Sequence, residues 1–206
     1  VIVSSGMATV EEINSCLEIL FGQGVRREQI VLLHCNTEYP TPDVDVNLLA
    51  IPALKKAFPG IPIGFSDHSV GYVAAVGAVV LGAEMIEKHF TLDKNMPGPD
   101  HKASATPEEL KALCGNVRRA AVMMGAGGKF VTESEKKNKV IARKSIVALK
   151  RISEGEIFTQ ENVTCKRPGN GISPMDWYKL MGQRAQKDFE PDELILHPEI
   201  TWQEDL

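Results

Sequence analysis

The stretch Ile30-Val31-Leu32-Leu33-His34-Cys35-Asn36-Thr37-Glu38-Tyr39-Pro40-Thr41-Pro42 decides the fold class. Its first five residues form a short apolar run ending on a histidine. That length, flanked by polar residues, predicts a strand over 30–34 buried on both faces. The polar segment after it, stiffened by two prolines, is a loop at the strand's C-terminal end. The same pattern recurs on either side. A strand over 1–4 precedes a helix over 9–21, with Thr9 as N-cap and Glu11 and Glu12 in the first turn. A helix over 46–57 follows the quoted stretch and stops at Phe58-Pro59-Gly60. A strand over 61–65 leads to a helix over 70–81, and a strand over 84–88 to a helix over 107–124. Thr106-Pro107-Glu108-Glu109 opens that last helix with a cap, a proline and two acids. Strand starts spaced about 30 residues apart predict parallel βα units. In a closed barrel or an open doubly wound sheet, chemistry then sits in the loops after the strands.

Composition excludes several classes. The 206 residues carry 23 basic and 27 acidic side chains, a net charge of -4, and 43% hydrophobic residues. That balance builds a packed core and disfavours nucleic acid as the main partner. No run of about 18 apolar residues occurs, so no membrane span is expected. Cys16, Cys35, Cys114 and Cys165 lack paired spacing and read as reduced thiols of a cytoplasmic protein. Residues 125–140 are polar and glycine-rich and read as a linker; their G-G-K lacks the other positions of a phosphate-binding loop. From 141 to 206 short strands and turns predict a small β-rich domain, with strands at S-I-V-A-L (145–149) and I-F-T (157–159).

The loops carry the candidate chemistry. Ser4-Ser5-Gly6-Met7 enters a helix N-terminus, an arrangement suited to an anion or to plain capping. Ser66-Asp67-His68-Ser69 and Glu87-Lys88-His89-Phe90 end neighbouring strands. Two histidines placed so can converge on one point, and neutral imidazole is the commonest protein ligand for a divalent metal. Asp67 and Glu87 read as groups that orient those rings. Asp93 to Lys102 is a long polar excursion in which Pro97-Gly98-Pro99 holds Asp100. Lys166-Arg167-Pro168-Gly169-Asn170-Gly171 offers Arg167 on a turn, to a polar ligand or to a neighbouring chain.

Six strings, V-S-S-G-M, L-L-H-C-N-T-E-Y-P-T-P, G-F-S-D-H-S, E-K-H-F-T, P-G-P-D and K-R-P-G-N-G, occur in an order and spacing that resemble the sialic acid synthase family across essentially the whole chain. The resemblance implies an α/β fold. Residues 1–124 would be the C-terminal half of a TIM barrel, followed after the linker by a small domain similar to type III antifreeze protein. It implies a carbon–carbon bond-forming transferase. The enol carbon of phosphoenolpyruvate attacks the aldehyde of N-acetylmannosamine or a related N-acetylated amino sugar; water attacks the other end, and phosphate leaves. It implies a divalent metal, Mn2+ or Mg2+, on His68 and His89, which with Asp100 would be the catalytic residues. Ser4 and Ser66 match residues that bind phosphoenolpyruvate; Tyr39 and Asp100 match residues that contact the sugar. Arg167 matches an arginine that reaches the N-acetyl group from the partner of a domain-swapped homodimer. Thr37 stands where some members use an asparagine against phosphoenolpyruvate, with Asn36 one step earlier. That departure, and Glu38 beside it, leave the sugar open, because sister enzymes making legionaminic or pseudaminic acid use diacetylated sugars. A reading of another class is a non-catalytic carbohydrate-binding or antifreeze-like module; the strand-end histidines and P-G-P-D fit it less well. A whole TIM barrel needs about 250 residues. With no initiator Met, the chain reads as part of a longer enzyme, inactive by itself, whose phosphate-binding lysines lie in earlier strands.

Overall fold

A computed structural model describes residues 1–201, so the end of the small domain, 202–206, lies outside the described residues. The chain divides into two compact units, Val1–Gly127 and Gly128–Leu206.

The first unit is built on four parallel strands in sequential order: β1 (Ile2–Ser4), β2 (Val31–Cys35), β3 (Ile63–Asp67) and β4 (Ile86–Lys88). Each is followed by a helix: α1 (Val10–Gly22), α2 (Ala50–Ala57), α3 (Val73–Val80) and α4 (Pro107–Met123). Reciprocal capping boxes start α1 (Thr9 with Glu12) and α4 (Thr106 with Glu109), each satisfying two otherwise orphaned backbone donors. Two helices start later than the apolar pattern predicts. Asn47 adopts a left-handed backbone (φ 46°) ahead of α2, and Gly71 does so (φ 78°) ahead of α3, so neither stretch can continue a right-handed helix. Alternation then sorts the strand residues. Leu32, Ile63 and Phe65 pack on Ile51, Leu54 and Ala78 of the helices. The opposite face carries Leu33, Cys35, Gly64 and Ser66, paired row by row as Leu33↔Gly64 and Cys35↔Ser66. Gly64 is required there: a β-carbon at that position would lie 2.4 Å from Leu33 Cδ2 and 2.9 Å from the Met85 carbonyl.

The second unit has its own core. Strands β5 (Ser145–Ala148) and β6 (Val163–Lys166) pair antiparallel, as do β7 (Arg184–Ala185) and β8 (Ile200–Thr201). Phe158 and Phe189, both fully buried, meet edge to face with centroids 5.9 Å apart. Around them stand Ile146, Ile152, Leu180 and Ile195. Two expectations need correction. The segment read as a linker contains helix α5 (Glu133–Ala142), started by Thr132, whose N–H donates to Glu135 Oε2 at 2.9 Å. The stretch I-F-T is no strand: Ile157 makes one bridge to Arg184, and Phe158 instead plugs the core. The strand that pairs with β5 is β6, whose mixed V-T-C-K sequence carries little periodic signal.

Candidate active site

Parallel pairing aligns the C-terminal ends of β3 and β4, with Ser66 opposite Glu87 and Asp67 opposite Lys88. Alternation puts Ser66, His68, Glu87 and His89 on the face away from the helices. There the imidazoles of His68 and His89 stand 5.3 Å apart, edge to face. Tyr39, brought in by the loop after β2, stacks on His68 at 4.0 Å and lies 4.7 Å from His89. The peptide bonds after Tyr39 and Arg167 are both cis to proline.

The hydrogen bonds fix protons as well as rings. His68 Nδ1 faces the Asn36 carbonyl at 2.5 Å, which assigns the proton to Nδ1 and leaves a lone pair on Nε2. Ser66 Oγ donates to Glu87 Oε1 at 2.6 Å, so its proton is committed. The Tyr39 hydroxyl, 2.8 Å from Nε2, is then the donor to that lone pair, and Ser66 Oγ lies 3.1 Å from the same nitrogen. Burial holds His68 below the ordinary imidazole value, although its bond to Asn36 opposes this, so the neutral ring is favoured. Burial, with the nearby Cys35, Asp100 and Glu87, pushes the Tyr39 phenol upward and keeps it a donor.

The remaining expected residues fall into three sets. Asp100 is exposed, and its negative charge is one of the lesser causes that raise the Tyr39 phenol. Its carbonyl is the hub of its loop, accepting from Ala103 N, Ser104 N and Ser104 Oγ. Thr91 Oγ1, 2.8 Å from His101 Nδ1, ties the same loop back to the end of β4. Ser4 and Thr37 lie toward the other edge. Ser4 ends β1, two strands from β3 and exposed, while Thr37 Cγ2 lies against Gly6, 3.7 Å from where a β-carbon would stand. Arg167 belongs to the second unit, where it is exposed and its Nε donates to the Ala142 carbonyl at the end of α5. Gly169 packs so tightly on Arg143 that a β-carbon would approach its Cβ to 2.5 Å, which fixes this turn.

Asp67 corrects an expectation. It does not orient His68 through a side-chain bond; it points to the other face and pairs with Lys88 and Ser69. Sequence reading also missed Asn36, whose carbonyl, not its side chain, holds His68. Its Oδ1 accepts from Glu38 N at 2.8 Å and shapes the loop.

The donor set suits a divalent cation in part. Two imidazoles meet, and a carboxylate stands behind Ser66; the His68 Nε2 lone pair, which here accepts from Tyr39, would have to exchange that hydroxyl for the ion. Among the described residues no three His, Cys, Asp or Glu side chains gather as a complete ion site, so the remaining ligands would be water or substrate oxygens.

Residues 1–129 match the NeuB family, and residues 143–201 match the SAF domain. The chain belongs to the NeuB family. It is 52% identical over 195 residues to the N,N'-diacetyllegionaminic acid synthase of Campylobacter jejuni, covering 95% of this chain and 58% of that protein. To human N-acetylneuraminate-9-phosphate synthase it is 35% identical, covering 95% of this chain and 54% of that protein. A relative of known structure, the N-acetylneuraminic acid (sialic acid) synthetase of Leptospira borgpetersenii, superposes with a TM-score of 0.60 at 38% identity. That match covers 66% of this chain and 47% of the other. The chain thus spans little more than half the length of the curated relatives it matches. No described helix is long and apolar enough to cross a membrane.

Proposed function

We propose that the protein to which this chain belongs is a nonulosonic acid synthase. It joins phosphoenolpyruvate to an N-acetylated amino sugar, adds water and releases phosphate. The observation that carries this reading is the His68–His89–Tyr39 cluster on the polar face of a parallel sheet, within a NeuB-family chain. A bound Mn2+ or Mg2+ would polarise the sugar aldehyde as a Lewis acid. His68 and His89 are the residues that would hold it. Tyr39, stacked on His68, and Asp100 are the residues that would position the sugar by hydrogen bonds. Ser66, tied to Glu87, and Ser4 at the end of β1 are the contacts proposed for phosphoenolpyruvate.

We read the four βα units as half of an eightfold barrel and the chain alone as inactive. Arg167 would complete the site from the partner in a domain-swapped homodimer. The four cysteines are free thiols, which supports a reducing, cytoplasmic setting. A second reading concerns the sugar: the 52% identity to one N,N'-diacetyllegionaminic acid synthase supports a diacetylated substrate, although another synthase of that name is as distant, at 35%, as N-acetylneuraminate-9-phosphate synthase.

The test is phosphate release by the full-length protein from phosphoenolpyruvate, with Mn2+ and a panel of amino sugars. Sugar-dependent release supports the synthase, and the preferred sugar decides between the two names. No release with any acetylated amino sugar would refute it.

A further inference from the structure

Behind the two histidines, on the helix side of the sheet, lies a buried ionic cluster that the reaction itself does not use. Lys88 Nζ is 3.1 Å from Asp67 Oδ2, with side chains 4% and 0% exposed. The ammonium also donates to the Ser69 carbonyl. Asp67 Oδ1 accepts from Ser69 N at 2.9 Å and Ser69 Oγ at 2.7 Å. Oδ2 accepts no aligned hydrogen bond, so its compensation is the ammonium charge alone.

The cluster's sequence positions matter more than its energy. Asp67 and Ser69 flank His68, and Lys88 precedes His89. Asp67 and Lys88 are register partners across β3 and β4. A peptide unit held at residue 67 and another at 69 leave the His68 backbone little freedom, and its carbonyl is taken by Thr41 N at 3.0 Å. Lys88, anchored to both, ties the peptide before His89 to the same frame. A buried ion pair contributes little net stability against an apolar pair of equal volume, whereas losing one partner is severe. What this pair supplies is fixed geometry between two neighbouring strand ends.

We propose that Asp67, Lys88 and Ser69 are positioning residues that set the spacing of His68 and His89 and thereby the affinity of the site for a divalent cation. The proposal rests on the reading that those two histidines hold the ion. Groups of this kind, outside the ligands themselves, typically alter metal affinity about 10- to 100-fold.

The experiment is Mn2+ binding by the full-length protein, followed by the loss of the free-ion electron paramagnetic resonance signal. Asp67→Asn keeps the shape and removes the charge; Ser69→Ala removes one hydrogen bond and spares the ion pair. His68→Ala is the control on the underlying reading. The expected result is Mn2+ affinity weakened about tenfold in folded Asp67→Asn, a smaller weakening in Ser69→Ala, and no measurable binding in His68→Ala. Should Asp67→Asn fail to fold, Ser69→Ala decides. Unchanged affinity in the folded variants, with binding lost in His68→Ala, would overturn the proposal and leave the ion site standing. Unchanged affinity in His68→Ala would remove both.

Discussion

The two units solve opposite problems with similar apolar material. The first buries one face of a parallel sheet against helices and, beyond Leu33 and Cys35 on the other face, gives the C-terminal strand ends to serine, glutamate, histidine and tyrosine. The second gathers Ile146, Ile152, Leu180 and Ile195 around Phe158 and Phe189 in a core closed on itself, while Phe130, Ile141, Met175 and Tyr178 stay exposed outside it. A one-sided core frees a surface for chemistry at strand ends. A closed core holds the turn on which Arg167 is exposed. Mutations should therefore act on activity in the first unit and on folding in the second.

The largest expected effect breaks the closed core. Phe158→Ala removes a fully buried ring and its partner contact with Phe189. It should cost the second unit about 3–5 kcal/mol, read as a lower urea midpoint by Trp177 fluorescence, since Trp177 packs on that core. A loss below about 1 kcal/mol would show that this core is loosely packed.

A smaller effect probes the open face. Tyr39→Phe removes the hydroxyl that donates to His68 Nε2 and keeps the stacked ring. The expected change in the full-length protein is a rise of about five- to tenfold in the KM for the amino sugar, with melting temperature unchanged. An unaltered KM would take Tyr39 out of the sugar site.

The smallest effect concerns acid. In the second unit, backbone hydrogen bonds hold Glu156 and Asp188, and the Lys187 ammonium holds Glu193, below the ordinary carboxylate range. Their folded pKa values lie below the unfolded ones, so their contribution is complete above the unfolded values and fades as pH falls through the folded ones. Urea midpoints of the second unit should therefore decline on acidification between about pH 5 and pH 2. Because these groups are exposed, the decline should be shallow and reduced further by salt. A midpoint that rises on acidification would reverse the assignment.

The first unit was legible because its strands are short apolar runs and its helices carry explicit caps. Thr9 with Glu12 and Thr106 with Glu109 mark starts that the structure keeps. Apolar periodicity over-extends α2 and α3 because it continues through Asn47 and Gly71, where the backbone turns left-handed. Asp67 neighbours His68 in sequence but not in space, because strand alternation sends adjacent side chains to opposite faces. Opposite charges one residue before each histidine, Asp67 and Lys88, were the available signal. The second unit was harder: β6 has no periodicity, and its core closes through distant bridges such as Val147↔Leu194 and Ile152↔Phe189 that local patterns do not encode.

The claim that strand-end imidazoles make the reaction site is tested most directly by His89→Ala in the full-length protein. Phosphate release from phosphoenolpyruvate should be followed with the preferred sugar and saturating Mn2+. Loss of a Lewis-acid ligand predicts a fall of about 100-fold or more, with the protein still folded. Turnover unchanged from the parent would contradict it.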